Sequence, residues 1–576
     1  MVRENSSDKY TKIVELARRR GFFWPSYEIY GGVAGFYDLG PLGAALKNNI
    51  IQLWREYFIV RHSDIVVEIE TPVITPKVVF EASGHLQHFT DPIVECLRCG
   101  RKFRADQLIE EVVGIKAEGK PVSELTEIIR SKGIKCPVCG GDLSDVKLFN
   151  LLFQTFIGPY TQNVAFLRPE TAQGMFVNFK RVHTVMREKL PLGIAQIGRV
   201  ARNEISPRQG MFRLREFTIA EMEFFYDPEE PGEPPYERFD SRLRILTAEA
   251  KVKGDDAIDI KAEEAVEEGI IKSPWLAYWM VVSKEFVKAL GVSYSEMMFE
   301  EKLPHERAHY ATQTFDQLVK VSRWGWIEVS GHAYRGDYDL SGHIKYSGQD
   351  LSVFKRFKEP KVIRRKVVKV NKAVIGKMFK SEAPNVLRVI SETPPEVIEE
   401  LISNSQSNYL VLRNYRVPKE ALSVETIEEK ISGKKFVPHV AEPSFGVERL
   451  ILVALEKAYH EEEGRVVLKL PVRLAPIKVA VLPLLTKEPL VSVAKEVYEE
   501  VLSSSIPAIY DEAGSIGRRY ARADEVGVPY AVTIDYQTLE DGTVTIRFRD
   551  SRRQVRVHRK ELISKLRELM GRSEVK

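Results

Sequence analysis

Cysteine is scarce in this chain of 576 residues, which contains only four. All four lie in two CxxC pairs, CLRCG at 96–100 and CPVCG at 136–140. This grouping argues against a disulfide framework and favours a metal site in a reducing, cytoplasmic setting. Two pairs of thiolates, each followed by a glycine that permits a tight turn, predict a structural zinc site at Cys96, Cys99, Cys136 and Cys139.

Long apolar runs are missing as well. No stretch approaches the roughly 18–20 residues of a membrane helix, and the first residues lack the apolar segment of a secretory signal. The net charge is only +4, so a nucleic-acid partner would have to bind local basic patches. With 29% charged and 44% hydrophobic residues, the composition is typical of a globular chain with several domains.

The stretch ARNEISPRQGMFRLREFTIAEMEFF, from Ala201 to Phe225, predicts a β-hairpin with one charged face. GIAQIGRVARNE supplies the first strand, ISPRQGM the loop and FRLREFTIAEMEFF the return strand. Alternation on the return strand places on one face two cations, an aromatic ring and two carboxylates, at Arg213, Arg215, Phe217, Glu221 and Glu223. Guanidinium groups bind phosphate, a ring stacks on a base and a carboxylate binds a small cation. This face therefore predicts a charged ligand, with an exposed ladder of salt bridges as the alternative.

Several segments resemble, in order, the motifs of class II aminoacyl-tRNA synthetases. GFYDLGPLGAALKNNIIQLWREYFI with the later Pro72 resembles motif 1, RNE with a loop and RLREF resembles motif 2, and EPSFGVERLILVAL resembles motif 3. Together with RPETAQG and GSIGRRYARADEVGVPY, the set resembles the dimeric type of glycyl-tRNA synthetase over nearly the whole chain. The resemblance implies an α+β multidomain fold: an antiparallel sheet flanked by helices, with insertions, and a C-terminal α/β anticodon-binding domain.

The composition of the segments, together with the resemblance, predicts an order of domains, although the resemblance is weakest in the insertions. We expect catalytic core with motif 1 at 1–91, a zinc-ribbon-like insertion at 92–149, core with motif 2 at 150–228, part of an insertion at 229–318, core strands at 319–350, a basic insertion at 351–433, core with motif 3 at 434–472 and the anticodon-binding domain at 473–576. The tract from Lys355 to Lys380 contains eleven Lys or Arg residues and one acid. It predicts contact with the tRNA acceptor stem, with a solvated strand edge as the alternative. The arginines of GSIGRRYARADEVG and RFRDSRRQVRVHRK predict a second basic face in the last domain.

The resemblance places ATP along motifs 2 and 3. Arg202 would bind the α-phosphate, Arg213 would bind at the γ-phosphate, and Phe217 and Arg449 would enclose the adenine, so the three arginines are the expected catalytic residues. Glu328 would lie at the ATP and its Mg²⁺. The expected ATP-binding set is Arg202, Asn203, Glu204, Phe212, Arg213, Leu214, Phe217, Glu328, Val329, Gly446 and Arg449.

A glycine pocket must hold the ammonium group and leave no room beside Cα, because glycine has no side chain to recognise. The resemblance implies three carboxylates around the ammonium group, Ser444 beside Cα and Arg335 at the substrate carboxylate. The expected glycine-binding set is Glu170, Glu221, Arg335, Glu442, Pro443 and Ser444.

The expected function is that of a cytoplasmic, homodimeric glycine–tRNA ligase that contacts no membrane. It would join glycine to ATP as glycyl-adenylate, release pyrophosphate, and transfer glycine to the 3′ end of tRNA(Gly), with diadenosine tetraphosphate synthesis as a side activity. One alternative is a threonyl, prolyl or histidyl synthetase. A second is a non-catalytic accessory paralogue, against which the presence of all three motif arginines argues. A third, remote alternative is a zinc protease, from the HExxH match HERAH at 305–309.

Overall fold

The computed structural model describes residues 8–207 and 210–572. Within them, nineteen α-helices, numbered α1–α19 in chain order, span Lys9–Arg20, Pro41–Phe58, Lys77–Ala82, His85–His88, Ala105–Val113, Val122–Ser131, Ala172–Val185, Ala248–Lys253, Ala262–Glu267, Pro274–Ala289, Tyr338–Ser347, Lys372–Phe379, Ala383–Glu392, Pro395–Asn404, Val447–Ala458, Leu490–Ser503, Ile516–Glu525, Tyr536–Asp541 and Leu562–Arg572.

Twenty-eight strands in the same described residues, β1–β28 in chain order, complete the fold. They span Phe23–Pro25, Tyr37–Leu39, Val66–Glu68, Ile74–Pro76, Thr90–Glu95, Lys102–Arg104, Lys147–Asn150, Phe153–Phe156, Val164–Leu167, Leu192–Ala201, Glu216–Tyr226, Arg242–Leu246, Ile258–Lys261, Met297–Glu301, Gln313–Val321, Gly325–Gly336, Val353–Val370, Tyr409–Leu412, Tyr415–Pro418, Leu422–Phe436, His439–Gly446, Tyr459–Glu462, Arg465–Leu468, Val479–Pro483, Ala508–Tyr510, Tyr530–Ile534, Thr543–Phe548 and Gln554–His558. The chain divides into two compact units, one of residues 1–351 and 437–576 and one of residues 352–436.

A nine-stranded, largely antiparallel sheet is the centre of the larger unit. Its order is β13-β12-β14-β15-β16-β21-β11-β10-β3. The helices α10 and α15 are buried against it, with Trp279 and Ile451 completely inaccessible to solvent. This arrangement confirms the predicted α+β fold with a large antiparallel sheet flanked by helices. The strands β12 to β15, which come from the region predicted as an insertion at 229–318, belong to this same sheet.

The predicted hairpin is formed by β10 and β11, with Gln196 opposite Glu221. Its return strand begins at Glu216, later than the sequence predicted, so Arg213 and Arg215 lie in the connecting loop. The reason lies in Arg215, whose guanidinium group donates to the carbonyl oxygens of Glu204 at 3.0 Å and Ala34 at 2.8 Å. These bonds fix the loop and remove Arg215 from the charged face. Two loop residues of the predicted ISPRQGM segment, 208 and 209, lie outside the described residues.

The C-terminal part of the larger unit has its own mixed sheet, in the order β25-β24-β26-β27-β28, covered by α16 and α19. Its elements follow one another as β24-α16-β25-α17-β26-α18-β27-β28-α19. Three arginines of the predicted basic face are buried instead: Arg519, Arg547 and Arg549. Arg547 pairs with Asp524 at 2.9 Å, while Arg519 and Arg549 donate to backbone carbonyl oxygens.

The second unit is a long antiparallel pair, β17 with β20, packed with α12 to α14 and the β18–β19 hairpin. Its sequence contains eighteen basic and ten acidic residues. Part of the basic strand faces acids on the partner strand, as in Arg364–Glu428 at 2.9 Å and Arg365–Glu429 at 2.5 Å. Such exposed ion pairs contribute little stability. The second unit carries eight more basic than acidic residues, whereas the net charge of the whole chain is only +4.

Among the described residues, no helix combines the length and the apolar character that crossing a bilayer requires.

Candidate active site

A cavity of about 340 Å³ opens over the middle of the nine-stranded sheet. Fourteen of the seventeen predicted ATP-binding and glycine-binding residues line it: Glu170, Arg202, Glu204, Phe212, Arg213, Leu214, Phe217, Glu221, Glu328, Val329, Glu442, Ser444, Gly446 and Arg449. Asn203, Arg335 and Pro443 do not line it. The hairpin β10–β11, the strands β16 and β21 and the start of α15 thus bring distant parts of the sequence to one place.

Two arginines reach the cavity from the loop that joins β10 to β11. The Nε of Arg202 donates to the carbonyl oxygen of Pro169 at 3.0 Å, and its guanidinium carbon lies 5.4 Å from the centre of the Phe217 ring. The Nε of Arg213 lies 3.2 Å from Oε2 of Glu204. Both cations are therefore oriented by protein oxygens, and both line the cavity, where guanidinium N–H groups suit an anionic ligand.

Arg449 forms the opposite wall of the cavity, on the first turn of α15. Its Nε donates to the carbonyl oxygen of Phe212 and its Nη1 to that of Glu328, both at 3.0 Å. Two fixed donors hold the plane of the guanidinium group, which suits stacking on a flat base. A Cβ atom at Gly446 would contact only the Arg449 side chain, at 3.7 Å. Because Gly446 lines the cavity and has no side chain, this space remains open to a ligand.

Three charged residues, Lys302, Asp316 and Glu328, lie beside these arginines, and of the three only Glu328 was predicted from the sequence. The Nζ of Lys302 is 3.1 Å from Oδ2 of Asp316, and Nη1 of Arg449 is 3.2 Å from Oε2 of Glu328. Burial and the neighbouring Glu328 raise the pKa of Asp316 to about 7. For Glu328, burial is outweighed by Arg449 and Lys302, which lower its pKa to about 2. Lys302 and Asp316 belong to no sequence motif. The pairing of β14 with β15 brings Lys302, which directly follows β14, next to Asp316 on β15.

The floor of the cavity is a layer of buried carboxylates. Oε2 of Glu221 accepts from the backbone N–H of Thr171 at 2.9 Å and from its hydroxyl group at 2.7 Å. Oε1 of Glu221 accepts from the Ser444 hydroxyl group at 2.7 Å. Three donors therefore hold Glu221 as an ordered carboxylate at a position where only 2% of the residue is exposed.

Glu170, in the loop before α7, is held from the other side. Its Oε1 accepts from Nε2 of Gln173 at 3.0 Å and lies 3.4 Å from Nε2 of His85. Although burial opposes ionisation, His85 and Arg335 lower the pKa of Glu170 below its ordinary value. Glu170 is thus a buried but stable anion at the cavity wall.

Arg335 lies behind this floor, with no exposed side-chain surface. Its Nε and Nη2 donate to the two carboxylate oxygens of Asp339, at 2.8 and 2.9 Å, and its Nη1 donates to Oε2 of Glu442 at 2.9 Å. The ring of Tyr310 covers the guanidinium group at 3.6 Å. Three of its five N–H groups thus donate to protein carboxylates. The contact of Arg335 with a substrate carboxylate, expected from the sequence, stays a prediction.

The four cysteines converge at the tip of a small sheet formed by β5, β6 and β7. Their sulfur atoms all lie within 4.8 Å of one another, with Sγ–Sγ distances of 3.5 Å for Cys96–Cys139 and 3.8 Å for Cys99–Cys136. Tetrahedral zinc with 2.3 Å bonds separates its sulfur ligands by about 3.8 Å. The glycines after each pair, at 100 and 140, have φ values of 69° and 70° that only glycine adopts readily. The donor set and its spacing therefore fit zinc.

The HExxH match does not form a zinc-protease site within the described residues. His305 and Glu306 lie in turns instead of a helix. Glu306 pairs with Lys251 at 3.0 Å, and Nε2 of His309 bonds with the carbonyl oxygen of Ser83 at 2.8 Å. The two histidines therefore share no helical face.

The chain is similar to known proteins over nearly its whole length. Residues 478–569 match the anticodon binding domain family. Over 98% of its length the chain is 59% identical to a glycine–tRNA ligase of Aeropyrum pernix, with 97% of that protein covered. It is 49% identical to the glycine–tRNA ligase of Pyrococcus horikoshii over 98% of the chain, and 46% identical to that of Methanocaldococcus jannaschii over 97%, with 99% of each relative covered.

Proposed function

Because the chain belongs to the glycine–tRNA ligase family, an aminoacyl-tRNA ligase family, we propose that it activates glycine with ATP and transfers it to tRNA(Gly). The observation that carries this proposal is the single cavity lined by Arg202, Arg213 and Arg449 on one side and by Glu170, Glu221 and Glu442 on the other. Cations suit the triphosphate of ATP, and carboxylates suit the ammonium group of an amino acid. A threonyl, prolyl or histidyl synthetase and an accessory paralogue fit the relatives less well.

ATP, as its Mg²⁺ complex, is proposed to bind between β11 and α15. Adenine would lie between the Phe217 ring and the Arg449 guanidinium group, whose fixed plane favours stacking. Arg202 would bind the α-phosphate and Arg213 would bind at the γ-phosphate, while Glu328 is proposed to bind the Mg²⁺ that accompanies the nucleotide. Glu204 orients Arg213 through their 3.2 Å contact, and Asn203 would support the turn through its N–H bond to the carbonyl oxygen of Leu151 at 2.7 Å.

Glycine is proposed to bind on the carboxylate floor, with its ammonium group between Glu170, Glu221 and Glu442. The Ser444 hydroxyl group, fixed on Glu221 at 2.7 Å, would close the space beside Cα. Pro443 would support the strand between Glu442 and Ser444. Arg335 is proposed to act indirectly. Its Nη1 lies 2.9 Å from Oε2 of Glu442 and would hold that carboxylate in place. A pocket that excludes every larger side chain by volume needs no separate editing site.

The proposed chemistry is an in-line displacement at the α-phosphorus. The glycine carboxylate attacks as pyrophosphate leaves, and the terminal ribose of the tRNA then accepts the glycyl group from the adenylate. Such a reaction depends on positioning and on neutralising phosphate charge, which the arginines would supply in a partly buried site. Attack by a second ATP on the same adenylate would produce diadenosine tetraphosphate as a side product.

A structural zinc ion is proposed at Cys96, Cys99, Cys136 and Cys139. Four thiolates would leave no open coordination position, so the ion would hold the two cysteine turns together without taking part in the reaction. The backbone N–H of Cys99 already donates to Sγ of Cys96 at 3.5 Å and lowers the pKa of that thiol to about 6. Four reduced thiols also support the proposed cytoplasmic location.

The tRNA is proposed to contact two surfaces. The family match at 478–569 supports anticodon binding by the C-terminal part, and the eight excess positive charges of residues 352–436 support contact with the acceptor stem. A homodimer is proposed through the motif 1 region. In its support, β3 is an edge strand of the large sheet. Ile74 and Val78, which follow β3 in the sequence, and Phe156, on the small sheet β4-β9-β8, are also each about half exposed.

The test is ATP–pyrophosphate exchange with purified protein, with each amino acid supplied in turn and no tRNA added. We expect exchange with glycine alone, and we expect Glu221→Ala to remove most of it. Exchange with another amino acid would overturn the proposed pocket, and exchange with none would favour the accessory paralogue. Aminoacylation of tRNA(Gly), light scattering and a glycine-dependent assay for diadenosine tetraphosphate test the second step, the dimer and the side reaction.

A further inference from the structure

Beneath the carboxylate floor lies another glutamate, Glu223, to which the proposed reaction assigns no role. It is completely buried and does not line the cavity. Neither of its carboxyl oxygens has a hydrogen-bond partner. An ionised carboxylate without a partner is not stable in such surroundings, so its presence requires a physical explanation.

The sheet register brings Glu223 to the glycine-binding glutamates. The pairs Glu221–Ser444 and Phe224–Ala441 between β11 and β21 imply that Glu223 lies opposite Glu442. Carboxyl oxygens of Glu221, Glu223 and Glu442 all lie within 4.8 Å of one another. Three buried carboxyl groups therefore meet directly below the place proposed for the ammonium group.

The charges around this cluster do not balance if every acid is ionised. Five carboxyl groups meet here: Glu221 and Glu223 on β11, Glu442 on β21, Asp339 on α11 and Glu170 in the loop before α7. The uncharged groups that face them are Gln173 on α7 and the Tyr310 hydroxyl group. Arg335 from β16 binds Asp339 and Glu442, His85 lies 3.4 Å from Glu170, and Arg168 lies near Glu221. Even with His85 protonated, these three cations and the ammonium group of one glycine leave one of the five carboxylates without a counter-charge. At least one carboxyl group must therefore hold a proton.

We propose, on the basis of the proposed glycine site, that Glu223 is a positioning residue that stays protonated and donates its O–H to the facing carboxylate of Glu442. The bond would satisfy both side chains and hold Glu442, from below, in the orientation that receives the ammonium group. Burial and the neighbouring carboxylates raise the pKa of both Glu223 and Glu442 well above the ordinary value. The bond from Nη1 of Arg335 to Oε2 of Glu442, at 2.9 Å, favours the ionised form of Glu442 and so leaves the proton on Glu223. The role requires a neutral hydrogen-bond donor at residue 223 and no negative charge.

Two substitutions separate these requirements. Glu223→Gln keeps the shape and a donor but cannot ionise, whereas Glu223→Leu, with Glu223→Met as a second apolar variant, removes the donor. We expect Glu223→Gln to keep the KM for glycine in the exchange assay within about threefold of the wild-type value. We expect the apolar variants to raise it about tenfold or more, with the KM for ATP unchanged, because they remove a hydrogen bond to a charged group.

The matched control is Glu456, a second buried glutamate on α15 whose Oε1 accepts from the backbone N–H of Ser322 at 2.5 Å. Glu456→Gln and Glu456→Leu should alter the thermal midpoint without a change in the KM for glycine. If Glu223→Gln is as impaired as Glu223→Leu, the residue acts as a carboxylate and the proposal is wrong. It is also wrong if no variant at residue 223 alters the KM for glycine. Absence of glycine-dependent exchange in the wild type would instead overturn the proposed function.

Discussion

Arg335 and Glu442 form a buried ion pair, with Nη1 of the arginine 2.9 Å from Oε2 of the glutamate and at most 5% of either side chain exposed. The same guanidinium group also holds both oxygens of Asp339. One cation thus keeps two carboxylates in place beneath the cavity. Because Asp339 is fully buried and the Glu442 side chain is only 5% exposed, the arrangement depends on that cation.

We therefore expect Arg335→Gln to lower the free energy of unfolding by about 3–5 kcal/mol, since it leaves buried carboxylates without a partner. Chemical denaturation followed by circular dichroism measures the change. Arg18→Gln is the control, because Arg18 pairs with Glu28 at 3.0 Å where 64% of the arginine side chain is exposed. That variant should change the free energy by less than about 1 kcal/mol, and equal effects of the two substitutions would contradict the prediction.

Arg449 tests the nucleotide side of the site. Arg449→Ala removes the guanidinium group held by the carbonyl oxygens of Phe212 and Glu328. The KM for ATP in pyrophosphate exchange should rise about tenfold or more, with the KM for glycine nearly unchanged. Lys457→Ala, two turns farther along α15, serves as the control and should leave both constants unchanged. An increase in the KM for glycine alone after Arg449→Ala would exclude the proposed orientation of the two substrates.

Asp316 makes stability depend on pH in a defined direction. Its pKa is raised from 3.8 to about 7 by burial and by Glu328, so the folded chain keeps a proton that the unfolded chain releases near pH 4. The folded state therefore loses stability as the pH rises through this window, by at most about 1.4 kcal/mol for each pH unit. Asp316→Asn cannot ionise, so its stability relative to the wild type should increase between about pH 5 and pH 7. Parallel denaturation profiles for the two proteins would show that the shift is absent.

The cysteine cluster predicts one bound zinc ion per chain. Cys136→Ser should lose the ion, as measured by elemental analysis, and the cobalt-substituted protein should lose its thiolate absorption. Limited proteolysis should then cut within residues 92–149, because the turns at Cys96 and Cys136 would no longer be tied together. Lys135→Ala, beside the cluster and in an exposed pair with Asp142, should keep the zinc. Full zinc content in the serine variant would disprove the assignment.

The positive charge of residues 352–436 predicts that substitutions there impair the use of tRNA without impairing the activation of glycine. Lys358, Lys372 and Lys377 are exposed, and their combined replacement by Glu should raise the KM for tRNA about tenfold and reduce its dependence on salt. Pyrophosphate exchange, which needs no tRNA, should not change. Replacement of the same three residues by Arg keeps the charge and should preserve aminoacylation. If the Glu variant charges tRNA normally, residues 352–436 do not contact the acceptor stem through these lysines.

Sequence reasoning predicted the parts of the site that carry local signals. The hairpin, the CxxC pairs and the first turn of α15 each lie in a short segment whose residue types indicate a function. In the structure, side chains of the hairpin and of α15 line one cavity, and the four cysteines form one cluster. Lys302, Asp316 and Glu223 had no comparable signal. They matter because strands far apart in sequence pair in a particular register, which no local pattern specifies.

Charge patterns were the least reliable guide. Arg215 was assigned to the charged face of the hairpin, and Arg519 and Arg549 to a basic face of the last domain. Each instead uses its guanidinium group to hold backbone carbonyl oxygens. A sequence does not distinguish an arginine that binds a phosphate from one that satisfies buried carbonyl groups, since both functions use the same donors. The segment of β28, QVRVH, was assigned only to a basic face although its valines alternate with polar residues, and β25 has three residues, too few to show a pattern.

The chain leaves its larger unit after Leu351 and returns to it at Val437, and just beyond these points Val353 and Phe436 are paired neighbours on β17 and β20. Residues 352–436 thus resemble a cassette whose two ends lie side by side. Their excision would interrupt none of the nine strands of the large sheet. Such a segment can be lengthened, shortened or exchanged without altering the order of the strands in the large sheet, so the proposed contact with tRNA can change independently of the proposed chemistry.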